Sequence, residues 1–164
     1  MSGPKLTLTI AGNDASGGAG IAADLKTFAE YGTYGIAVLT VIATMDPENS
    51  WRHSVTPINA QIVKDQLTTA FAGPAIAAAK TGMLPNPEVT RAIADMLKEH
   101  PETPLVVIKG GKALEGVEAV DLIFDGESFA TLTARKIPSP NSHGAGCTFA
   151  ADITAGLAKG LDPV

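Results

Sequence analysis

The only cysteine of this 164-residue chain lies in a glycine-rich turn, NSHGAGCTFAADI at residues 141–153. The pattern predicts that a helix begins here, with Cys147 in its first turn. Gly144, Ala145 and Gly146 would then present backbone N–H groups to an anion, at the positive end of the helix dipole. Such a thiol suits a general base, and such amides suit an oxyanion site. A small buried residue that packs the helix onto a sheet explains a lone cysteine equally well.

A second glycine-rich stretch, AGNDASGGAGIAADLK at residues 11–26, joins a strand to a helix. Its glycines permit a sharp turn and the close approach of N–H groups to a polar ligand. No GK[ST] follows, so it is not a Walker A loop, and it fits the dinucleotide fingerprint only loosely. A ligand loop and a tight structural turn both remain open. Asp14 and Asp24 are candidate acids that could equally cap or solvate a helix start, and His143 is a turn residue as well as a candidate base.

Two further strand ends carry groups that could meet a ligand. VIKGG at residues 107–111 places Lys109 before Gly110 and Gly111, which suits phosphate contact at the carboxyl edge of a parallel sheet. A solvated lysine before a turn is the alternative. KTGML at residues 80–84 has the same form, and its Met83 could line a pocket or fill the core.

Hydrophobic periodicity predicts the elements that position these groups. Strands are expected at Leu6–Ala11, Gly35–Thr44, Ala75–Lys80 and within TPLVVIKGG at 103–111, and helices at Ile21–Tyr31, Ala60–Phe71 and Pro87–Glu99. Gly35–Thr44 is nearly all apolar, as in a strand buried on both faces. The alternation predicts an α/β domain with a mainly parallel sheet and right-handed crossovers.

The region Val120–Ile137 differs, because two β-rich runs flank DGE, which is a hairpin signal. We expect it to form an antiparallel edge of the same sheet. WRHSVTP and PNP are interpreted as loops. No linker divides the chain, so residues 1–164 are expected to form one domain.

Composition excludes several classes of partner. A net charge of −5 argues against nucleic acid or an anionic membrane, which usually require a basic face. The start of the chain lacks the apolar run of a signal peptide or a membrane span, so a cytoplasmic location is expected. One cysteine and three unclustered histidines predict no protein-built metal site. A small molecule is the expected ligand.

In their joint order, these motifs resemble the ribokinase-like vitamin kinases, and most closely the branch of hydroxymethylpyrimidine and pyridoxal kinases. The resemblance is carried by LTIAGNDASGGAGIAADLKTF, VIATMDPENSW, KTGML, VIKGG and NSHGAGCTFAA. It implies a three-layer domain with a central, mainly parallel sheet and helices on both faces. It also implies ATP and Mg²⁺ as cofactors and a homodimer as the assembly.

The resemblance assigns roles to residues. Cys147 takes the place of the catalytic base of the superfamily, and the amides of Gly144, Ala145 and Gly146 stabilise the transferred phosphoryl group. The implied substrate-ring site consists of Gly12, Asp14, Ala19, Asp24, Met45 and Met83. The implied nucleotide edge consists of Val107, Ile108, Lys109, Gly110 and Gly111.

Met45 bears on the choice of vitamin. Similar hydroxymethylpyrimidine kinases commonly carry a glutamine here, which hydrogen-bonds the aminopyrimidine, whereas a thioether accepts only weakly. Together with TMDPENSWRHSVTP, which resembles the pyridoxal-kinase type of Gram-positive bacteria, this favours pyridoxal, pyridoxine and pyridoxamine. Hydroxymethylpyrimidine (phosphate) kinase activity is the alternative.

The chain departs from this family near residues 106–108, where a long segment containing a lid is expected, and after GLDPV, where a further helix is expected. Either the segment is deleted or the sequence is joined across it. The second interpretation is favoured, because a deletion would expose several hundred Å² of apolar surface at roughly 25 cal/mol per Å². A binding protein without turnover is a further alternative. A thiol hydrolase is another, although no histidine and acid pair is evident to complete it.

Overall fold

The computed structural model describes residues 3–103, 105–106, 108–109, 117–124, 129–137 and 142–161. Its strands are β1 (Leu6–Asp14), β2 (Tyr34–Asp46), β3 (Arg52–Pro57), β4 (Ile76–Thr81), β5 (Leu105–Val106), β6 (Ile108–Lys109), β7 (Glu118–Phe124) and β8 (Phe129–Arg135). Its helices are α1 (Gly20–Glu30), α2 (Ala60–Phe71), α3 (Pro87–Glu99) and α4 (Ala145–Ala158). The order of strands and helices over the first hundred residues was predicted correctly except for β3.

The main sheet has the strand order β3-β2-β1-β4-β5. β1 pairs in parallel with β2 on one side and with β4 on the other, and β5 continues the parallel set beyond β4. From β1 the chain thus passes to β2 on one side of it and later returns to β4 on its other side. This reversal creates a crevice at the carboxyl ends of β1 and β4, which is where ligands bind in open α/β sheets.

Helices cover both faces of this sheet. Leu8 and Ile10 of β1 point into a core formed with α2 and α3, where Val63, Leu67 and Ile93 are buried. The opposite face is covered by α1 and α4, which meet through Phe28, Ala151 and Ala155. The small residues of α4 allow it to pack closely, and the three-layer α/β architecture expected from the sequence is confirmed.

Side-chain caps fix where two of the helices begin. Asn59 accepts a hydrogen bond from the Gln61 amide at the start of α2, and Asn86 accepts one from the Val89 amide at the start of α3. Pro87 is the first residue of α3, where its missing N–H costs nothing. These local signals explain why α2 and α3 have the predicted bounds.

Two expectations about the strands on one side of the main sheet are wrong. WRHSVTP was expected to be a loop, but Arg52–Pro57 forms β3, antiparallel to the outer half of β2. β2 is also not buried on both faces along its length, since Ile42 and Thr44 are exposed where the β2–β3 hairpin extends past the helices. An apolar run does not report how far a strand projects from its domain.

The expectation for Val120–Ile137 is wrong in its placement. β7 and β8 do form an antiparallel hairpin, but β7 pairs with β6 on its other side, so the hairpin belongs to a separate three-stranded sheet. The single strand expected within TPLVVIKGG is divided between the sheets, because Leu105–Val106 pairs with β4 and Ile108–Lys109 pairs with β7. The apolar run itself gives no signal of a change of sheet, although the family resemblance placed a junction between two strands near residues 106–108.

Candidate active site

A cavity of about 110 Å³ lies at the carboxyl ends of β1, β2 and β4. It is lined by residues from both glycine-rich stretches, from the β2–β3 hairpin and from the turn after β4. These residues are Ala11, Gly12, Asn13, Asp14, Ala19, Gly20, Val41, Ala43, Met45, His53, Gly82, Met83, His143 and Cys147. The cavity therefore occupies the crevice where the direction of the chain reverses.

The first glycine-rich stretch forms the floor of the cavity through close backbone packing. Gly20 begins α1 with φ of +58°, and a Cβ there would collide with the Gly12 carbonyl. A Cβ on Gly12 would collide with the Val41 side chain of β2. Both positions therefore require glycine, and the stretch is a tight structural turn as well as a cavity wall.

Asp14 organises the remainder of this stretch. Its carboxylate accepts hydrogen bonds from the Ser16 amide at 2.9 Å, the Ser16 hydroxyl at 2.8 Å and the Ala19 amide at 2.8 Å. Ala19 is the residue before α1, so the carboxylate also lies at the positive end of that helix. Asp14 therefore holds the residue that precedes α1 and shapes the cavity wall.

His143 joins the two glycine-rich stretches by contacting the same carboxylate. Its Nε2 lies 2.8 Å from Asp14 Oδ2. Burial alone raises the pKa of Asp14, but the hydrogen bonds from His143, Ser16 and Ala19 outweigh it and lower the pKa from 3.8 to about 2. Because an ionised carboxylate can only accept, Nε2 must carry the proton.

Cys147 is the third residue of α4, as predicted for the first helical turn. Gly144 precedes the helix with φ of +80°, and a Cβ there would collide with the Gly18 carbonyl, so the two glycine-rich stretches pack directly together. Across this contact the Gly20 amide donates to Cys147 Sγ at 3.3 Å. The thiol is partly exposed and lines the cavity, so it is not simply buried filler.

The predicted anion-binding amides are only partly available. The first amides of an α-helix lack intrahelical acceptors, which leaves the start of α4 suited to an anion. The Ala145 amide, however, donates to the Ser142 carbonyl at 3.3 Å. Ala145 is thus engaged in the turn, which corrects its assignment as a free donor.

The wall opposite α1 comes from the β2–β3 hairpin and the turn after β4. Met45 of β2 is directly opposite His53 of β3, and both line the cavity with Met83. His53 also meets His143 edge to face, with ring centroids 6.1 Å apart. Sequence reasoning missed His53, because its place at the cavity depends on the pairing of β3 with β2, which the exposed residues of β3 do not signal.

Asp24 does not line the cavity. Its side chain is 0% exposed and accepts hydrogen bonds from Lys80 Nζ at 2.7 Å and Thr9 Oγ1 at 2.6 Å. The structure therefore corrects the expectation that Asp24 contacts the substrate ring. The sequence suggested no partner for it, because Lys80 is 56 residues away.

The predicted nucleotide edge lies largely outside the described residues. Val107, Gly110 and Gly111 are not described, and Ile108 and Lys109 are described only as the backbone of β6. Within the described part of the chain, no group of three or more His, Cys, Asp or Glu side chains could hold a metal ion. In the same residues, no helix has the length and apolar character needed to cross a membrane.

The fold and this site define the class of protein. The three-layer α/β fold, with its cavity at the carboxyl ends of the strands, is shared with small-molecule kinases of the ribokinase-like fold. The chain belongs to the phosphomethylpyrimidine kinase family, whose model matches residues 14–107 and 102–164.

Individual relatives bear other names within this family. The chain is 36% identical to the pyridoxine kinase of Bacillus subtilis over 225 positions, covering 94% of this chain and 83% of the relative. It is 32% identical to the hydroxymethylpyrimidine/phosphomethylpyrimidine kinase of Rhizobium meliloti, covering 95% of this chain and 84% of the relative. The resemblance to pyridoxal and pyrimidine kinases is confirmed.

Solved structures agree with these relatives. An ADP complex of Bacillus subtilis pyridoxal kinase superposes with a TM-score of 0.78 at 35% identity, covering 98% of this chain and 86% of that one. Staphylococcus aureus pyridoxal kinase in complex with AMP-PCP and pyridoxal superposes with a TM-score of 0.69 at 34% identity, covering 99% and 83%.

The family match also has a break. Its two matched stretches meet at residues 102–107, and the alignments span 225 positions against 164 residues in this chain. A stretch of the relatives therefore has no counterpart here. The break falls where the main sheet gives way to the separate β6-β7-β8 sheet.

Proposed function

We propose that this protein phosphorylates the 5-hydroxymethyl group of pyridoxal, pyridoxine and pyridoxamine with ATP, in vitamin B6 salvage. The observation that carries the proposal is that Cys147, in the first turn of α4, shares one cavity with Met45 and Met83. A thiol base at a helix start thus faces a pocket wall that contains the two thioether side chains of Met45 and Met83. The relatives named pyridoxine kinase and pyridoxal kinase support the same substrate class.

Cys147 acts in this proposal as the general base. Its thiolate accepts the proton of the hydroxymethyl group while the hydroxymethyl oxygen attacks the γ-phosphorus of ATP, and ADP departs. The start of α4, at Gly144 and Gly146, stabilises the negative charge on the transferred phosphoryl group. Ala145 takes part through its position in the turn, since its amide is already bound to Ser142.

The ring of the vitamin lies between Gly12, Ala19, Met45 and Met83 in this proposal. Asp14 acts indirectly, because its oxygens already accept four hydrogen bonds. The weakly accepting thioether of Met45 disfavours an exocyclic amino group on the ligand. A pyridoxal-type ring is therefore the better fit.

We propose, from the family resemblance, that the nucleotide contacts Val107, Ile108, Lys109, Gly110 and Gly111. AMP-PCP in the Staphylococcus aureus structure supports an ATP-type substrate. Mg²⁺ is proposed to arrive with the nucleotide phosphates, which is compatible with the absence of an acidic cluster among the described residues, since this ion usually keeps several waters and few carboxylates. When bound, it neutralises phosphate charge.

We further propose a cytoplasmic location and a homodimer, the second of which is implied by the family resemblance. β3 offers a candidate contact, because it is an edge strand of the main sheet and all six of its residues are exposed. Unpaired N–H and C=O groups on such an edge can pair with another strand. Sedimentation velocity tests whether the protein is a dimer. A concentration of 100 µM is about a hundred times a micromolar dissociation constant, so a protein that is still monomeric there would contradict the dimer.

Two other functions remain in competition. Hydroxymethylpyrimidine (phosphate) kinase activity is favoured by the Rhizobium meliloti relative. A ligand-binding protein without turnover is favoured by the break near residue 105, since the relatives contain a stretch that this chain lacks.

A coupled ADP-release assay on the purified chain separates these functions. Its intact mass is measured first, and a value near 16.8 kDa shows that the segment is deleted. Turnover with pyridoxal above that with hydroxymethylpyrimidine is the expected result. The reverse preference supports the pyrimidine kinase, and no ADP from either substrate overturns the kinase proposal.

A further inference from the structure

Three buried polar side chains form a network beneath the floor of the cavity. Asp24 Oδ2 accepts from Lys80 Nζ at 2.7 Å and from Thr9 Oγ1 at 2.6 Å. Asp24 and Thr9 are fully buried, and Lys80 is 1% exposed. None of the three lines the cavity, so the proposed chemistry does not use them directly.

Each member of the network lies close in sequence to a glycine that does line the cavity. The pairs are Thr9 with Gly12 in β1, Asp24 with Gly20 in α1, and Lys80 in β4 with Gly82 just after it. Lys80 Nζ lies 3.8 Å from the position of a Cβ on Gly82. The network therefore links three backbone segments that line the cavity.

The contacts also set the position of α1 relative to the sheet. Thr9 and Lys80 are register partners in the parallel β1–β4 pair, so they present their side chains together toward α1. Asp24 lies one helical turn after Gly20 and therefore on the same face of α1. A shift of α1 along the sheet would break both hydrogen bonds of Asp24.

Stability alone does not account for this pair of buried charges. A buried ion pair gains little over apolar side chains of similar volume, because desolvation offsets the attraction. Asp24 Oδ1 is buried and has no hydrogen-bond partner among the described residues, which adds to that cost. What the pair supplies is position, since separating the two buried charges would leave each of them without a partner in the interior, which is strongly destabilising.

We propose that Thr9, Asp24 and Lys80 are positioning residues that hold the Gly20 amide against Cys147 Sγ. The 3.3 Å contact between that amide and the thiol joins α1 to α4. Loss of the network lets the start of α1 move, and the thiol loses its fixed donor. The effect on phosphorylation rests on the proposed function, whereas the effect on the Gly20 amide does not.

The test is the double substitution Asp24→Asn with Lys80→Met, which removes both charges at nearly constant shape. Amide hydrogen exchange measured by NMR reports Gly20 directly. We expect the Gly20 amide to exchange about tenfold faster than in the unsubstituted protein, while the amide of Leu8 in the core strand β1 stays protected. We also expect kcat for pyridoxal to fall about tenfold, with KM changed less than about twofold.

A matched control is available on the surface. Asp95 and Lys98 form an exposed pair at 3.4 Å, and Asp95→Asn with Lys98→Met should leave Gly20 exchange and kcat unchanged. Should the buried double variant fail to fold, Thr9→Val removes one hydrogen bond without removing a charge, and Thr9→Ser should restore it.

Folded variants whose Gly20 exchange equals that of the unsubstituted protein would overturn the proposal. If the unsubstituted chain has no kinase activity, the proposed function fails, but the exchange measurement still decides whether the network positions Gly20.

Discussion

Asp14 and His143, which are 129 residues apart, meet at 2.8 Å between Oδ2 and Nε2. This contact fastens the loop after β1 to the turn before α4, the two stretches that carry most of the proposed site. Asp14 is buried whereas His143 is half exposed. Substitution of Asp14 is therefore the more sensitive test of this contact.

Asp14→Asn should lower the free energy of unfolding in a pH-dependent way. The pKa of Asp14 is lowered from 3.8 to about 2 in the folded protein, so its contribution is full above pH 3.8 and is lost as the pH falls toward 2. Solvent screens the half-exposed His143 and weakens the contact. We therefore expect Asp14→Asn to lower the free energy of unfolding by ~1–2 kcal/mol at pH 6.

Urea unfolding at pH 6 and pH 3 measures this difference. The difference in the free energy of unfolding between the unsubstituted protein and Asp14→Asn should be smaller at pH 3 than at pH 6. The control Asp95→Asn, at an exposed carboxylate, should change the free energy of unfolding little at either pH. A gap of equal size at both pH values would contradict the assignment.

Cys147→Ala should remove the general base of the proposed reaction. We expect kcat for pyridoxal to fall by about 10²–10⁴, with KM changed only a few-fold, and Cys147→Ser should be similarly impaired because a hydroxyl is a far weaker base near neutral pH. Coupled ADP release measures both constants.

Alkylation provides an independent check on Cys147. The chain has one cysteine, so iodoacetamide modifies a single thiol and should abolish activity to the same extent. An alkylated protein with full activity would remove Cys147 from the mechanism.

Gly144→Ala should disrupt the contact between the two glycine-rich stretches. Its φ of +80° disfavours a side chain, and a Cβ would collide with the Gly18 carbonyl. Gly32 is a matched control, since its φ is +70° but nothing lies within 4 Å of a Cβ there.

Melting temperature and kcat distinguish the two alanine variants. Gly32→Ala should cost about 1 kcal/mol and keep its activity, whereas Gly144→Ala should cost more and lose phosphorylation. Equal losses in both variants would show that backbone strain alone is responsible.

Met45→Gln should change the preference between vitamins. An amide can donate to and accept from an aminopyrimidine, whereas a thioether accepts only weakly. We expect the ratio of kcat/KM for hydroxymethylpyrimidine over pyridoxal to rise about tenfold. Met45→Leu keeps an apolar wall and should leave the ratio nearly unchanged, and a rise of equal size in Met45→Leu would contradict the role of the amide.

Much of the fold was accessible from the sequence. The bounds of α2 matched the prediction, as did the placement of Cys147 in the first turn of α4. Periodicity and capping residues act within one or two turns, so such features can be recognised locally. The strand pairing of Arg52–Pro57 could not be, because its residues are exposed on both faces and show no alternation.

The residues of the candidate site likewise include some that the sequence identified and some that it misplaced. Gly12, Met45, Met83 and Cys147 were named from the sequence, and the structure places all four around one cavity. Asp24 was misplaced because it lies only four residues from a cavity glycine, yet its side chain turns toward Lys80 on another strand. Proximity in sequence does not report which face of a helix meets the sheet.

The sequence by itself determined the strand–loop–helix units, the glycine-dependent turns and the start of α4 at the lone thiol, since backbone conformation responds to neighbouring residues. Tertiary structure alone decided that the Gly20 amide meets Cys147, that Asp14 holds His143 and that β6–β8 form a sheet of their own. Those outcomes depend on which distant surfaces pack together. Packing is settled by the burial of apolar area and the satisfaction of polar groups over the whole domain, which no local pattern encodes.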